Sequence, residues 1–473
     1  MTRRTLETEQ KALEINLDER IYGAFAEIGA GQEVARHFFQ VGAAAGTIAK
    51  TMSAYDKTVS DEIYGPELLG KGRYVCESRL YKMLDHEYRL MEDRLRALRP
   101  DHTFFAFADT VSAINYQRTI KGDGWLGLRF QLAPDRAPNE LVLHVRLLDQ
   151  DNRQQQQAVG ILGVNLIYGC FRYAQHPEML LQSLLDNLHG RVMIDMVRMS
   201  GPDFASVDNR LVCLWLVRYG LSHVAIFGPD GNSLHAGEFL YRKALLIARG
   251  SYRPPTLVQQ DMIRQAYTQF KAEPDLQNSS SFFLTEITLD NLSPDGQPDE
   301  RDFLDRADML CALGQTVVIS NCVPYKKLLN YFADYRSPRI GLAMGVRKLR
   351  TILHETLRDN PDNLLGAFGE LFPQNVRYYI YPAREPDGTL LTTGNLPVPE
   401  EIRFLYTHLL ENRHIVDVRH FSPDVLSIHH KEVIGMIHRG ETGWEDKVPP
   451  EVARMIREKG LFGWKQDAVR TES

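Results

Sequence analysis

Cysteine is scarce in this 473-residue chain, and what there is does not pair: Cys76, Cys170, Cys213, Cys311 and Cys322 form no C-x-x-C motif. A zinc ribbon and a thioredoxin-type redox centre are thereby excluded. Four of the five sit in apolar runs, the pattern of buried, reduced thiols in a reducing compartment. Basic charge is not in excess either. Lys and Arg number 55 against 61 Asp and Glu, a net charge of -6, so a nucleic-acid partner is not expected. No apolar run reaches the roughly 18 residues of a helical membrane span. The first ten residues are polar and charged, without the apolar segment of a signal peptide, and a cytoplasmic location is the expectation. G-x-S-x-G, the Walker G-x-x-x-x-G-K-[ST] and H-E-x-x-H are all missing, which removes several common enzyme classes.

What is present is an ordinary globular composition, 44% hydrophobic and 25% charged, long enough for two or three domains of roughly 100–200 residues each. The first apolar segment, 21–28, reads as a strand. Residues 74–98 read as a long amphipathic helix, with Leu80, Leu84, Tyr88, Met91 and Leu95 three or four apart. Three β-rich stretches follow at 104–111, 125–132 and 141–148, close enough to form an antiparallel piece, then two apolar helices at 154–173 and 177–188. From Arg191 the rhythm changes. Strand candidates at 192–199, 223–227, 244–248, 282–289, 316–320, 339–344 and 376–381 alternate with helical stretches, which is the mark of parallel βαβ construction. The expected fold is α/β, with parallel βαβ units in residues 191–382, as a doubly wound open sheet in preference to a β/α barrel. An α+β N-terminal domain precedes it. The expected domains are 1–190, 191–400 and a helical C-terminal extension, 401–473.

Three constellations bear on function. Gly29-Ala30-Gly31 lies between a strand and a helix, where glycines let backbone amides approach a phosphate. The dinucleotide fingerprint would want Gly or Ala where Val34 stands, and the same residues also read as a tight turn. The second constellation is the set of strand C-terminal ends, where ligands bind in both candidate architectures. They carry Ser200, Gly201 and Asp203, then Arg249 with Arg253, Asp290 and Asn291, Ser320 and Asn321, and finally Gly345 with Arg347 and Lys348. Turns select such residues anyway. The third is basic charge at helix starts, notably Arg347 and Lys348, a placement that an anion would compensate. Together these predict an anion site in which Arg253, Arg347 and Lys348 hold a phosphate and Ser320 and Asn321 supply neighbouring hydrogen bonds. Asp203, Glu286 and Asp290 would provide acid–base chemistry or hold Mg²⁺ beside that phosphate. The late histidines, His408, His414, His420, His429, His430 and His438, show no ligand spacing, and no metal site is assigned to them.

The runs ALEINLDERIYGAFAEIGAGQEVARHFFQVG (12–42), SGPDFASVDNR (200–210), FLYRKALLIARGSYRP (239–254) and ALGQTVVISN (312–321) resemble an uncharacterised bacterial family over nearly the whole chain. Its members have carried the names nicotinate-nucleotide adenylyltransferase and TonB-dependent receptor. The first implies an [HT]-x-G-H tetrad, which does not occur here, and the second an outer-membrane barrel pattern, which does not occur either. The resemblance therefore implies a grouping and assigns no residue.

Two functions follow as expectations. One is an enzyme acting on a phosphate-bearing small molecule, a nucleotide among the candidates, with transferase-like chemistry at the strand ends. The other is a non-catalytic scaffold or regulatory protein, a homo-oligomer with aromatic-rich 325–335 or 377–382 as its contact surface.

Overall fold

Strand β1 (Ile21–Ile28) is the first long apolar segment, and the N-terminal sheet is built outward from it. The computed structural model describes residues 4–30, 32–67, 74–277, 279–292 and 298–464. It divides into two compact units, Met1–Ala225 and Ile226–Ser473.

In the first unit β1 is joined by β2 (Ile48–Met52), β3 (Thr103–Ser112), β4 (Gly122–Phe130), β5 (Asn139–Leu147) and β6 (Val192–Ser200), in the order β2-β1-β3-β4-β5-β6. β1 runs parallel to both β2 and β3, while β3 to β6 form an antiparallel meander. The helices are α1 (Thr8–Asn16), α2 (Glu33–Gln40), α3 (Lys57–Tyr64), α4 (Glu77–Leu95), α5 (Asn152–Tyr173), α6 (Pro177–Ser183) and α7 (Asn209–Arg218). The apolar stripe of α4 covers one face of the sheet, Leu80, Met83 and Leu84 meeting Ala26, Ala108 and Trp125. α5 packs against α2 so closely that a Cβ at Gly163 would lie 2.3 Å from Val34. The strand expected at 192–199 does form, but its partner is β5, antiparallel. The parallel run therefore starts later than Arg191, and the division falls at 225/226, not 190/191. Apolar content marks a strand without naming its neighbour, which tertiary pairing decides.

The second sheet contains β7 (Val224–Phe227, straddling the division), β8 (Ser233–Leu234), β9 (Ala244–Arg249), β10 (Ser281–Thr288), β11 (Thr316–Ser320), β12 (Ile340–Gly345), β13 (Val376–Tyr381) and β16 (Ile415–Asp417). A separate two-stranded hairpin pairs β14 (Ala383–Arg384) with β15 (Leu390–Leu391). The strand order is β16-β13-β12-β9-β10-β11-β7-β8. It has two edges, so the sheet is open and no barrel closes. The pairs from β11 across to β16 are parallel. Counting from β9 as the first strand, β11-β10-β9-β12-β13-β16 is the doubly wound order 3-2-1-4-5-6. β9 is a continuous apolar run, as a strand covered on both faces requires.

Its helices are α8 (Ala236–Leu240), α9 (Leu257–Lys271), α10 (Leu289–Leu292), α11 (Glu300–Ala312), α12 (Tyr325–Ala333), α13 (Val346–Asp359), α14 (Leu364–Leu371), α15 (Arg403–Glu411), α16 (His430–Arg439) and α17 (Pro450–Lys459). Local signals set their starts. Thr256 and Gln259 form a capping box for α9, and Asp299 caps α11 through the amides of Arg301 and Asp302. Within the expected extension 401–473, the described residues 401–464 do not stand apart: β16 completes the sheet, and Trp444, Val452 and Ile456 share a core with Met309 of α11. The aromatic segments read as contact surfaces are interior. Tyr325, Tyr331, Phe332 and Tyr335 are buried, as are Tyr378, Tyr379 and Tyr381 of β13, because these rings fill the space between helix and sheet. All five cysteines are free thiols. Among the described residues no helix is long and apolar enough to cross a membrane.

Candidate functional site

The order of the second sheet reverses between β9 and β12: β10 and β11 lie to one side, β13 and β16 to the other. Chain leaving the C-terminal ends of β9 and β12 thus departs in opposite directions, which opens a crevice where ligands of doubly wound sheets bind. A pocket of about 240 Å³ lies there. Val258, Gln259 and Met262 of α9 form one wall. Gly345, Val346 and Arg347 supply the end of β12 and the start of α13, Tyr381, Pro382 and Ala383 the end of β13, and Leu426, Ile428 and His429 the remaining side.

Gly345 is the N-cap of α13 and offers no side-chain cap to its first-turn amides. Its backbone is extended, φ -72° and ψ 149°, and nothing lies within 4 Å of the position a Cβ would take. The first turn of α13 has no acidic residue, so the positive end of the helix dipole is uncompensated from within the helix. Arg347 adds a full charge. Its Nη2 donates to the Arg384 carbonyl at 2.7 Å and its Nε sits 3.4 Å from Glu385 Oε1. Tyr381 donates its hydroxyl to Asp261 Oδ2 at 2.5 Å. Burial acts to raise the Asp261 pKa, but bonds from Tyr381, the Ser422 amide, Gln265 and Arg264 outweigh it and hold the carboxyl below its ordinary range.

Of the anion-site residues expected from sequence, the pocket contains Arg347. Lys348 is exposed beside it and does not line it. Arg253 donates through Nε to Asp302 Oδ1 at 2.7 Å, and Asp302 also pairs with buried Arg306. Ser320 donates to Glu286 Oε1 at 2.6 Å, and Asn321 is half-buried in the following loop. Glu286 accepts two further bonds from Arg249, at 2.8 and 2.9 Å, so both its oxygens are engaged. Arg249 in turn holds the Cys322 and Val323 carbonyls at 2.7 and 2.5 Å and lies over the Tyr325 ring. That geometry ties the ends of β9, β10 and β11 together and occupies both oxygens of Glu286. Asp290 is exposed on α10, and Asp203 belongs to the first unit, where Asn139 brackets it with bonds of 2.8 Å to its carboxylate and from its amide. None of these three acids lines the pocket, and the pocket lining contains no carboxylate to hold Mg²⁺.

Gly29 has a packing explanation. Its φ is +96°, and a Cβ there would lie 2.0 Å from the Val111 carbonyl oxygen. Gly31 lies outside the described residues. The start of α2, where a phosphate would sit, is taken by buried Glu27, whose two oxygens accept from the Val34 and Ala35 amides at 2.8 and 3.2 Å. The remaining pocket residues, Val258, Met262, Leu426, Ile428 and His429, carry no local signal; only the strand order brings them together.

No family model and no curated protein matches the chain. Among solved structures, it is similar to the competence/damage inducible protein CihA from Agrobacterium tumefaciens over 35% of this chain and 97% of that one, at 15% identity and a TM-score of 0.25. A competence-damaged protein (CinA) superfamily protein from Enterobacter cloacae is similar over 36% and 96%, at 12% identity and a TM-score of 0.26. The Escherichia coli member of that superfamily gives 35% and 90%, 12% and 0.25. At such scores the likeness assigns no role to any residue here.

Proposed function

We propose that the C-terminal unit binds a small phosphate-bearing molecule of the nucleotide class in the pocket between the ends of β9 and β12. The observation that carries this reading is the coincidence, at the reversal of strand order, of a pocket, an uncapped helix start and Arg347. Val258, Met262, Val346, Leu426 and Ile428 give the pocket apolar walls, suited to a base or sugar ring while the anion meets α13. A cytoplasmic location, where free thiols and phosphorylated metabolites coexist, accords with it. For transferase-like chemistry the lining offers His429 as its proton-handling group and no carboxylate, so it supports binding more directly than turnover. A thermal-shift screen with inorganic phosphate, AMP, ATP and glucose 6-phosphate tests it. A ligand at 100 times its Kd stabilises by about 2.7 kcal/mol. The shift should be lost in Arg347→Ala; a wild-type protein unmoved by all four compounds refutes the reading.

A further inference from the structure

We infer that Asp261 is the positioning residue of this pocket, an inference that rests on the ligand reading above. Asp261 lies on α9 between Gln259 and Met262, is 5% exposed, and does not itself line the pocket. Its carboxylate nevertheless touches one other wall at Tyr381, and at Ser422 the start of the segment that leads to the remaining side. Oδ2 accepts from the Tyr381 hydroxyl at 2.5 Å and from the Ser422 amide at 2.9 Å; Oδ1 is 3.3 Å from the Ser422 hydroxyl. Gln265 and Arg264 of α9 occupy the rest of Oδ1, at 3.1 and 2.9 Å, and fix the carboxylate's orientation against its own helix.

Each partner leads directly to lining residues. Tyr381 is followed by Pro382 and Ala383, and it pairs in register with Gly345, the cap of α13. Ser422 begins the segment that delivers Leu426, Ile428 and His429. One buried carboxylate thus sets the distance from α9 to the helix start that would meet the anion, and to the wall opposite. A ligand held by several elements at once loses affinity when their spacing relaxes by a fraction of an ångström. Asp261 reaches the ligand only through Tyr381 and Ser422.

The fold has a second tether for the same segment. Gln269, two turns further along α9, donates to the Asp417 carbonyl at 3.1 Å and accepts from the Arg419 amide at 2.9 Å. The segment therefore stays attached when Asp261 is changed, and affinity separates from folding.

The test is isothermal titration of the full chain with AMP and with inorganic phosphate, alongside thermal melts, for wild type, Tyr381→Phe, Ser422→Ala and Asp261→Asn. Positioning predicts that Asp261→Asn and Tyr381→Phe each weaken AMP binding by about tenfold, as loss of an orienting partner does elsewhere. The variant carrying both changes should be no weaker than Asp261→Asn alone, since both remove one contact. A purely structural role lowers the melting temperature and leaves the dissociation constant within about twofold of wild type, and that result overturns the inference while the ligand reading stands. Wild-type protein that binds neither probe overturns both. Should Asp261→Asn fail to fold, Tyr381→Phe and Ser422→Ala separate positioning from structure in its place, as each removes a single hydroxyl.

Discussion

Glu27 and Asp109 face each other in register on neighbouring parallel strands, both closed off from solvent. Glu27 caps α2; Asp109 accepts the Ile28 amide at 3.1 Å with one oxygen, and its other oxygen has no partner among the described residues. Burial pushes Glu27 up to about 7, against the pull of the Val34 and Ala35 amides and with help from Glu33. Burial, then the charge of Glu27, raises Asp109 well above its ordinary value. Both shifts favour the protonated form of the carboxyl.

The sign of the resulting pH dependence is fixed by those directions. Acids whose folded values are raised contribute stability fully below their unfolded values, near 4.5 and 3.8, and lose it as pH rises through the folded ones. Stability should therefore fall between about pH 5 and 8, by about 3 kcal/mol for the Glu27 shift alone. Asp109→Asn should flatten that slope. Urea unfolding followed across this range checks both statements.

His144 gives the same sign of pH dependence for a different reason, because here it is the charged form that its neighbours favour. It is buried, with Nδ1 2.6 Å from Asp195 Oδ1 and Nε2 3.6 Å from Asp123. Burial alone would lower its pKa, but Asp195 and Asp123 raise it to about 9. A raised histidine contributes stability below its unfolded value of 6.5 and loses it as pH climbs through about 9. An NMR titration of the His144 ring should find it protonated at pH 7.5, and Asp195→Asn should move the midpoint down.

Much of the architecture was legible in sequence, and the reasons differ by element. β9 and α13 announce themselves through a continuous apolar run and through buried Val346, Leu349, Ile352 and Leu353 at helical spacing. Arg347 stood out as a cation at a helix start. Strand order was not legible, because register and neighbours depend on residues far apart in sequence; hence β6 was expected in the wrong sheet. Val258 and His429 were missed for the same reason. Glu286 looked like a free acid because nothing local shows that Arg249 and Ser320 close on it.

That closure predicts the phenotype of Glu286→Gln. Half-buried Arg249 would lose the fully buried carboxylate it pairs with, and breaking such a pair costs about 3–5 kcal/mol. The variant should melt markedly lower than wild type, and Ser320→Ala should cost only about 1 kcal/mol. A Glu286→Gln protein with wild-type stability would contradict the tie drawn between β9 and β10.

The sharpest test of the pocket borrows a device the chain already uses. At α2 an internal carboxylate, Glu27, accepts the first-turn amides; at α13 the corresponding place has no side chain, because the cap is Gly345. Gly345→Asp puts a carboxylate there. The backbone is already extended and the space beside it is open, so no strain opposes the change. An Asp cap in place of Gly, together with its charge at the helix's positive end, should stabilise the unliganded protein by up to about 1 kcal/mol. The same carboxylate takes the amides and repels an incoming anion. We expect the melting temperature to rise slightly while the stabilisation by AMP or phosphate disappears. A variant that is more stable and still gains the full wild-type shift with these ligands would mean that the anion binds somewhere other than the start of α13.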